Sequence, residues 1–277
     1  KGRGEMAMAA EKWRRLGSRS TMPMQRVGDL EVHYRERGQG SPLVLISGNW
    51  TTSLWWQPFM ELLPPGLRAI SHDLRGRGLT RGPALPQSIP THAADLHGLL
   101  DTLGLMRVHL IGHSLGSAVA MQLALEHPER VHTLTVLAPA WVEGMPAAYN
   151  LPSHQLSLHD NREYFATAMR GMAPGAPDDA LWQQLLDEGH QQHRDASLST
   201  LQALVDWAPG ERLKALHALP SLVVSGETDP LSTVDMGKRC ASLLGARHHV
   251  MKGVGHSPNL ETPRAFLEVW REFATEQ

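Results

Sequence analysis

Short apolar runs alternate with amphipathic stretches along most of this chain, and the alternation predicts strands that are each followed by a helix. Strands are predicted at 42–46, 67–72, 108–111, 131–138, 221–225 and 247–250, and the runs at 42–46 and 131–138 are typical of strands buried on both faces. Apolar positions with helical spacing lie at 90–103, 117–126, 234–244 and 258–274. Two alternating segments around Gly28-Asp29 predict a β-hairpin near the start. The predicted fold class is α/β, a doubly wound and mostly parallel sheet.

The alternation stops between residues 140 and 209, where the pattern is helical throughout. Helical patches lie at 161–172, 178–193 and 195–207, and prolines and glycines separate them. We therefore predict a helical cap at 140–209, inserted into a core made of residues 24–139 and 210–277. Residues 1–23 form a predicted N-terminal extension with a short helix at 7–16.

The composition of the chain mainly excludes certain classes of protein. The 277 residues are 42% hydrophobic, enough for a sizeable core, and the net charge of −2 offers no attraction to nucleic acid or an anionic membrane. No apolar run approaches the ~20 residues of a membrane helix, and no secretory leader pattern is visible. The single cysteine, Cys240, excludes an internal disulfide. We expect a cytoplasmic protein without nucleic-acid or membrane partners, and its oligomeric state stays open.

The stretch Gly112-His113-Ser114-Leu115-Gly116 has the form G-x-S-x-G and links a predicted strand to a predicted helix. A sharp turn through this pattern holds its serine in a strained backbone conformation. The serine oxygen is then exposed at a helix N-terminus, where N–H groups and the helix dipole favour negative charge. Ser114 is therefore the candidate nucleophile.

A serine nucleophile needs a base that accepts its proton and a carboxylate that orients the base. On sheets of this kind the acid and then the histidine follow the serine along the chain, each on a loop after a strand. Asp229 follows the strand at 221–225, and His256 follows the strand at 247–250. Glu143, which follows an earlier strand, is an alternative acid.

Four motifs make the chain resemble the α/β-hydrolase fold family, in its esterase and meta-cleavage-hydrolase branch. They are GHSLG at 112–116, GETD at 226–229, GVGHSPNLETP at 253–263 and SHDLRGRG at 71–78. The resemblance implies that Ser114 is the nucleophile, His256 the general base and then acid, and Asp229 the orienting carboxylate. The fourth motif is similar to the family's D-x-R-G-x-G turn, so Asp73 and Arg75 are expected to fix the sheet edge.

Ester hydrolysis also requires N–H donors for the negative charge that develops on the carbonyl oxygen. Leu115, directly after the nucleophile, supplies one backbone donor. The resemblance implies the N–H of Asn49 as the second, because the family's donor follows a His-Gly pair that is Ser47-Gly48 here. Ser47 is thus a departure from the family pattern. The Asn49 side-chain amide is a further group available to a substrate.

Large apolar residues near this loop and in the cap are candidates for an acyl pocket: Trp50, Trp141, Met145, Met169 and Trp182. The chemistry needs no cofactor, and we predict no metal site. His109 and His113 have i, i+4 spacing, but they span a strand and a turn rather than one helical face.

The sequence thus predicts a cap-bearing serine hydrolase that cleaves a small-molecule carboxylic ester through an acyl-enzyme. Lactone, thioester and carbon–carbon bond hydrolysis are alternatives on the same three residues. For the carbon–carbon reaction, Arg162 and Arg170 are candidate partners for a substrate carboxylate. The alternative of another class is a ligand sensor with slow or single turnover.

Overall fold

This structure, a computed structural model, describes residues 23–276. The predicted helix at 7–16 and nearly all of the N-terminal extension lie outside the described residues. The strands are β1 (Met24–Val27), β2 (Leu30–Gly38), β3 (Gly40–Ile46), β4 (Gly66–His72), β5 (Val108–Ser114), β6 (Val131–Pro139), β7 (Ser221–Gly226) and β8 (Arg247–Met251).

The strands form one sheet in the order β1-β2-β4-β3-β5-β6-β7-β8. Only the pairings β1–β2 and β2–β4 are antiparallel, and all the others are parallel. The predicted hairpin and the mostly parallel sheet are both confirmed. Because parallel strands end at the same edge, the loops after β3, β5, β7 and β8 meet there.

Helices cover both faces of the sheet. They are α1 (Gln57–Glu61), α2 (Ile89–Thr102), α3 (Leu115–Glu126), α4 (Pro152–Asp160), α5 (Arg162–Met172), α6 (Ala180–His190), α7 (Arg194–Asp206), α8 (Val234–Leu244), α9 (Pro258–Glu261) and α10 (Pro263–Thr275). One apolar cluster joins the sheet to α2, α3 and α8, and a second joins its other face to α1 and α10. The continuously apolar strands follow from this double covering.

Helix α3 is buried over nearly its whole length. Alanines at 118, 120 and 124 let it lie close against the sheet. The N-terminus of α3, which follows Ser114, is therefore fixed on a rigid support.

Between β6 and β7, residues 140–209 carry α4 to α7 and no strand. We interpret this segment as the cap. Its two ends meet at a narrow neck, where the backbone N–H of Gly210 donates to the carbonyl oxygen of Val142 at 2.8 Å. The strands that flank it, β6 and β7, are direct neighbours in the sheet.

Two features differ from the sequence prediction. The single C-terminal helix predicted at 258–274 is wrong: α9 and α10 are separate, with Thr262 between them at φ −139° and ψ 57°. Pro263 disfavours helical backbone at the residue before it and begins a new helix at its own position. Helix α4 was not predicted. Its first turn has no large apolar side chain, and a proline such as Pro152 is found in loops as well as at a helix start.

Candidate active site

Ser114 ends β5 with φ 54° and ψ −120°, a left-handed backbone conformation that L-residues seldom adopt. The flanking glycines make the turn possible. A Cβ on Gly112 would lie 2.2 Å from the carbonyl oxygen of Gly116, and one on Gly116 would lie 2.4 Å from that of Ile46. The turn leaves Ser114 partly exposed, directly before the first N–H groups of α3.

His256 and Asp229 form a buried pair on the loops after β8 and β7. The Nδ1 of His256 lies 2.7 Å from Oδ2 of Asp229. The other carboxylate oxygen, Oδ1, accepts the backbone N–H groups of Leu231 and Ser232 at 2.8 and 2.9 Å. With Nδ1–H directed at a carboxylate, Nε2 is the ring atom that can accept a proton.

Asp229 remains ionised in this setting. Burial alone would raise the pKa of its carboxyl, but the hydrogen bond from His256, its charge and the two backbone N–H groups together lower the pKa below its ordinary value. An ionised Asp229 stabilises the positive charge that forms on His256 when the imidazole takes a proton.

His113 connects the turn at Ser114 to the loop that carries His256. Its Nε2 donates to the carbonyl oxygen of His256 at 2.7 Å, and the two imidazole rings lie 4.9 Å apart. Burial and the neighbouring His256 lower the pKa of His113 to about 3, so the ring is neutral and keeps its donor hydrogen. The residue adjacent to Ser114 therefore fixes the backbone of His256.

The segment 47–53, which we call the oxyanion loop because it carries the predicted donor Asn49, lies against Ser114. A Cβ on Gly48 would lie 3.2 Å from the Cβ of Ser114. Ser47, which replaces the expected histidine, donates from its hydroxyl to the carbonyl oxygen of Thr52 at 2.7 Å. Asp73 accepts the backbone N–H of Ser53 at 2.6 Å. Hydrogen bonds within the loop and from the sheet edge thus support the backbone around Asn49.

The cap also holds this loop. Glu188 of α6 accepts the hydroxyl of Thr52 at 2.7 Å, and Gln192 accepts the backbone N–H of Trp50 at 3.1 Å. Trp50 is held at φ 60°, and its indole N–H donates to Gln155 of α4. The oxyanion loop is therefore fixed from the sheet on one side and from the cap on the other.

A buried arginine that sequence reasoning did not single out lies behind Asn49. Arg77 donates to Asn49 Oδ1 at 3.1 Å, Thr200 Oγ1 at 2.7 Å, Gln87 Oε1 at 2.9 Å and the carbonyl oxygen of Arg75 at 3.1 Å. All four acceptors are uncharged, and burial lowers the pKa of the guanidinium to about 9. The one available signal was a second arginine in the D-x-R-G-x-G turn.

Asp73 and Arg75 of that turn have the expected anchoring contacts. Asp73 is buried and pairs with His33 at 2.8 Å, and Arg75 makes two hydrogen bonds to Asp95, both 2.7 Å long.

The five residues proposed for the acyl pocket are not brought together. Trp50, Met169 and Trp182 share one apolar cluster with Phe165, whereas Met145 and Trp141 belong to the larger core cluster. The candidate residues are thus divided between two apolar clusters. Trp182 also lines a surface cavity of about 190 Å³ beside α9.

The alternative acid and the two cap arginines have other partners. Glu143 is exposed and accepts a hydrogen bond from Arg239 at 2.8 Å. Arg162 pairs with Asp187, and Arg170 donates to the carbonyl oxygen of Ala176 and lies 4.0 Å from the Trp182 ring. The acid paired with the imidazole is therefore Asp229.

Among residues 23–276, no group of three or more His, Cys, Asp or Glu side chains is arranged to hold a metal ion. Within the same described range, no helix combines the length and apolar content needed to cross a bilayer.

Comparisons with known proteins agree on one family. A sequence model described as the alpha/beta hydrolase family matches residues 43–269. A 2-hydroxy-6-oxononadienedioate/2-hydroxy-6-oxononatrienedioate hydrolase 2 of Pseudomonas putida is 30% identical, and the alignment covers 88% of this chain and 92% of that protein.

Solved structures show the same fold. The enol-lactonase of Burkholderia xenovorans LB400 superposes with a TM-score of 0.81 at 23% identity, covering 91% of this chain and 100% of that one. Est816, described as an N-acyl homoserine lactone degrading enzyme, has a TM-score of 0.74 at 27% identity and the same coverages.

Proposed function

The chain is a hydrolase of the alpha/beta hydrolase family, and on that premise we propose that it cleaves a carboxylic ester through an acyl-enzyme on Ser114. The observation that carries the proposal is the pair formed by ionised Asp229 and His256, linked through His113 to a serine in a strained turn. This combination supplies a nucleophile, a base and the charge that stabilises the protonated base.

In acylation, His256 Nε2 takes the hydroxyl proton of Ser114 as the serine oxygen attacks the ester carbonyl. The backbone N–H groups of Leu115 and Asn49 bind the resulting oxyanion. His256 then gives its proton to the alkoxy oxygen, the carbon–oxygen bond breaks, and the alcohol leaves.

In deacylation, His256 removes a proton from a water molecule, whose oxygen attacks the acyl carbonyl. Collapse of the second tetrahedral intermediate returns the proton to Ser114 and releases the acid. No step in this cycle draws on a group outside the chain, the substrate and water.

A panel of aryl esters of increasing acyl length tests the proposal, with Ser114→Ala beside the wild type. We expect multiple turnovers by the wild type and a loss of kcat of about 10³-fold or more in the variant. Ser157→Ala, which removes an exposed hydroxyl of α4, is the matched control and is expected to retain full activity. A fully active Ser114→Ala, or organophosphate labelling at another residue, would sink the assignment.

Lactone hydrolysis is a second candidate, because a lactone is a cyclic carboxylic ester and Est816 at 27% identity is described as degrading one. A third is hydrolysis of 2-hydroxy-6-oxo-dienedioic acids, which the name of the Pseudomonas putida relative suggests. The partners already bound by Arg162 and Arg170 count against those arginines as binders of a substrate carboxylate. Adding an acyl homoserine lactone and a dienone acid to the panel separates the three.

A ligand sensor is the candidate of another class. A single slow turnover followed by release of a cap-bound partner would support the sensor, and repeated turnover would exclude it.

A further inference from the structure

The side-chain amide of Asn49 has only one orientation that its neighbours allow. Arg77 Nη2 lies 3.1 Å and Gln192 Nε2 lies 3.2 Å from the same atom of Asn49. A guanidinium has donors and no acceptor, so the atom that it contacts must be an acceptor.

The orientation of Gln192 is fixed independently. Its Oε1 accepts the backbone N–H of Trp50 at 3.1 Å, so the other terminal atom is the nitrogen. That nitrogen also lies 3.3 Å from the hydroxyl of Ser197, whose own hydrogen is directed at the carbonyl oxygen of His193. Both neighbours of Asn49 are therefore donors, and the atom they share is Oδ1.

It follows that Nδ2 of Asn49 faces away from Arg77 and Gln192. Asn49 is partly exposed, and Nδ2 makes no hydrogen bond to the described part of the chain, nor is it one of that part's fully buried unpartnered atoms. Because Gly48 lies against Ser114, this donor lies on the loop that borders the nucleophile.

Arg77 adds a charge to this arrangement. It is 2% exposed, and within residues 23–276 no carboxylate lies within ion-pair distance of its guanidinium. A buried cation without a counter-charge is unfavourable for folding. The same charge raises the positive potential at the neighbouring oxyanion site, where negative charge develops during the reaction.

We propose that Arg77 and Gln192 are positioning residues that hold the Asn49 amide with Nδ2 directed at the substrate, so that the side chain donates a further hydrogen bond to an oxygen of the reacting ester group. This inference rests on the proposed ester hydrolysis and deepens it. Asn49 Nδ2 would then act beside the backbone donors of Leu115 and Asn49. Gln192 of the cap and Arg77 of the core together set its direction.

Gln192→Glu is the sharpest test, because it replaces one terminal atom. A carboxylate still accepts the Trp50 N–H, but it repels Asn49 Oδ1, whereas Arg77 still requires an acceptor at that position. Neither orientation of the Asn49 amide then satisfies both neighbours, so Nδ2 is no longer held toward the substrate. The new carboxylate also gives Arg77 a counter-charge. We expect kcat/KM on an aryl acetate to fall at least about tenfold, mainly through kcat, while Tm is unchanged or higher.

Gln183→Glu is the matched control, since Gln183 is exposed on α6 and the substitution adds the same charge to the cap. Arg77→Lys and Arg77→Met extend the test. Lysine keeps the charge without the fork of donors, so activity should decrease in the order wild type, Lys, Met.

The outcomes are distinguishable. A selective loss of kcat in Gln192→Glu at undiminished Tm, with Gln183→Glu as active as the wild type, supports the proposal. Two results would overturn the proposal and leave ester hydrolysis standing. One is activity of Gln192→Glu within about threefold of the wild type, and the other is a loss of kcat that is accompanied by a lower Tm. A wild type without Ser114-dependent turnover overturns both.

Discussion

At the scale of single residues, the chemistry proposed for Ser114 and His256 depends on backbone and hydrogen-bond geometry. The positive φ of Ser114 is maintained because glycines at 112 and 116 permit close contacts that a Cβ would prevent. Asp229 then sets the tautomer of His256 by accepting its Nδ1–H. The proposed nucleophile and base therefore depend on two glycines and a carboxylate that take no direct part in the proposed reaction.

Asp229→Asn should lower kcat by about 10⁴-fold with little change in Tm. The amide oxygen can still accept the backbone N–H groups of Leu231 and Ser232, but the negative charge that favours a protonated His256 is lost. Steady-state kinetics with an aryl acetate and a thermal melt measure the two effects. Glu143→Gln is the control at the alternative acid, where we expect unchanged kcat. A reversed pattern would assign the acid to Glu143.

The sequence predicted Ser114, Asp229 and His256 because each follows a recognisable strand in a fixed order along the chain. Nothing comparable marked Arg77 or Gln192. Their partners Thr200 and Asn49 lie 123 and 143 residues away from them, and only the folded cap brings these groups together. Roles that depend on such distant contacts have no local sequence signature.

At the scale of elements, the central strands β5, β6 and β7 were predicted within a few residues because both of their faces are buried and mostly apolar. The cap was predicted as helical, but its packing was not. An apolar stripe indicates that a helix is buried and leaves open which neighbour covers it. Trp141 and Trp182 were therefore grouped by composition although they belong to separate clusters.

Helix α6 packs closely on the oxyanion loop at Gly189, where a Cβ would lie 2.4 Å from the carbonyl oxygen of Trp50. Gly189→Ala should therefore displace α6 or the loop and lower both kcat and the free energy of unfolding. Urea denaturation and steady-state kinetics measure these changes.

Gly171→Ala is the matched control within the cap. Gly171 is exposed on α5, and a Cβ there would meet nothing within 4 Å. We expect it to raise the free energy of unfolding by about 0.5–1 kcal/mol, because alanine loses less backbone entropy in a helix than glycine. Equal effects of the two substitutions would argue against a close contact at Gly189.

At the scale of the whole molecule, stability should depend on pH through buried histidines. Burial lowers the pKa of His72 to about 4 and that of His113 to about 3, and it holds the pKa of His92 well below the ordinary value. In the unfolded chain these groups titrate near pH ~6.5. As pH falls from 7 towards 4, the unfolded chain binds protons that the folded chain does not.

The free energy of unfolding should therefore decrease as the pH is lowered from about 6.5, by up to ~1.4 kcal/mol per pH unit for each such histidine. Urea denaturation at pH 7, 6 and 5 measures the slope. His72→Leu should reduce this slope by the contribution of one proton. The substitution breaks no hydrogen bond, since neither ring nitrogen of His72 has a partner. His249→Gln, at an exposed position of β8, is the control. Equal stability at pH 7 and pH 5 would refute the expectation.

The neck formed by Val142 and Gly210 has an evolutionary consequence. A segment whose ends meet between two adjacent strands can be lengthened, shortened or replaced through recombination at those two points, while the sheet and the loops that carry Asp229 and His256 keep their places. The cap, about seventy residues long, can then be exchanged as one segment when a new substrate is selected for. Exchange at this neck would also replace Gln192 and Thr200, so a graft that keeps its catalytic rate must bring its own donor for the Asn49 amide.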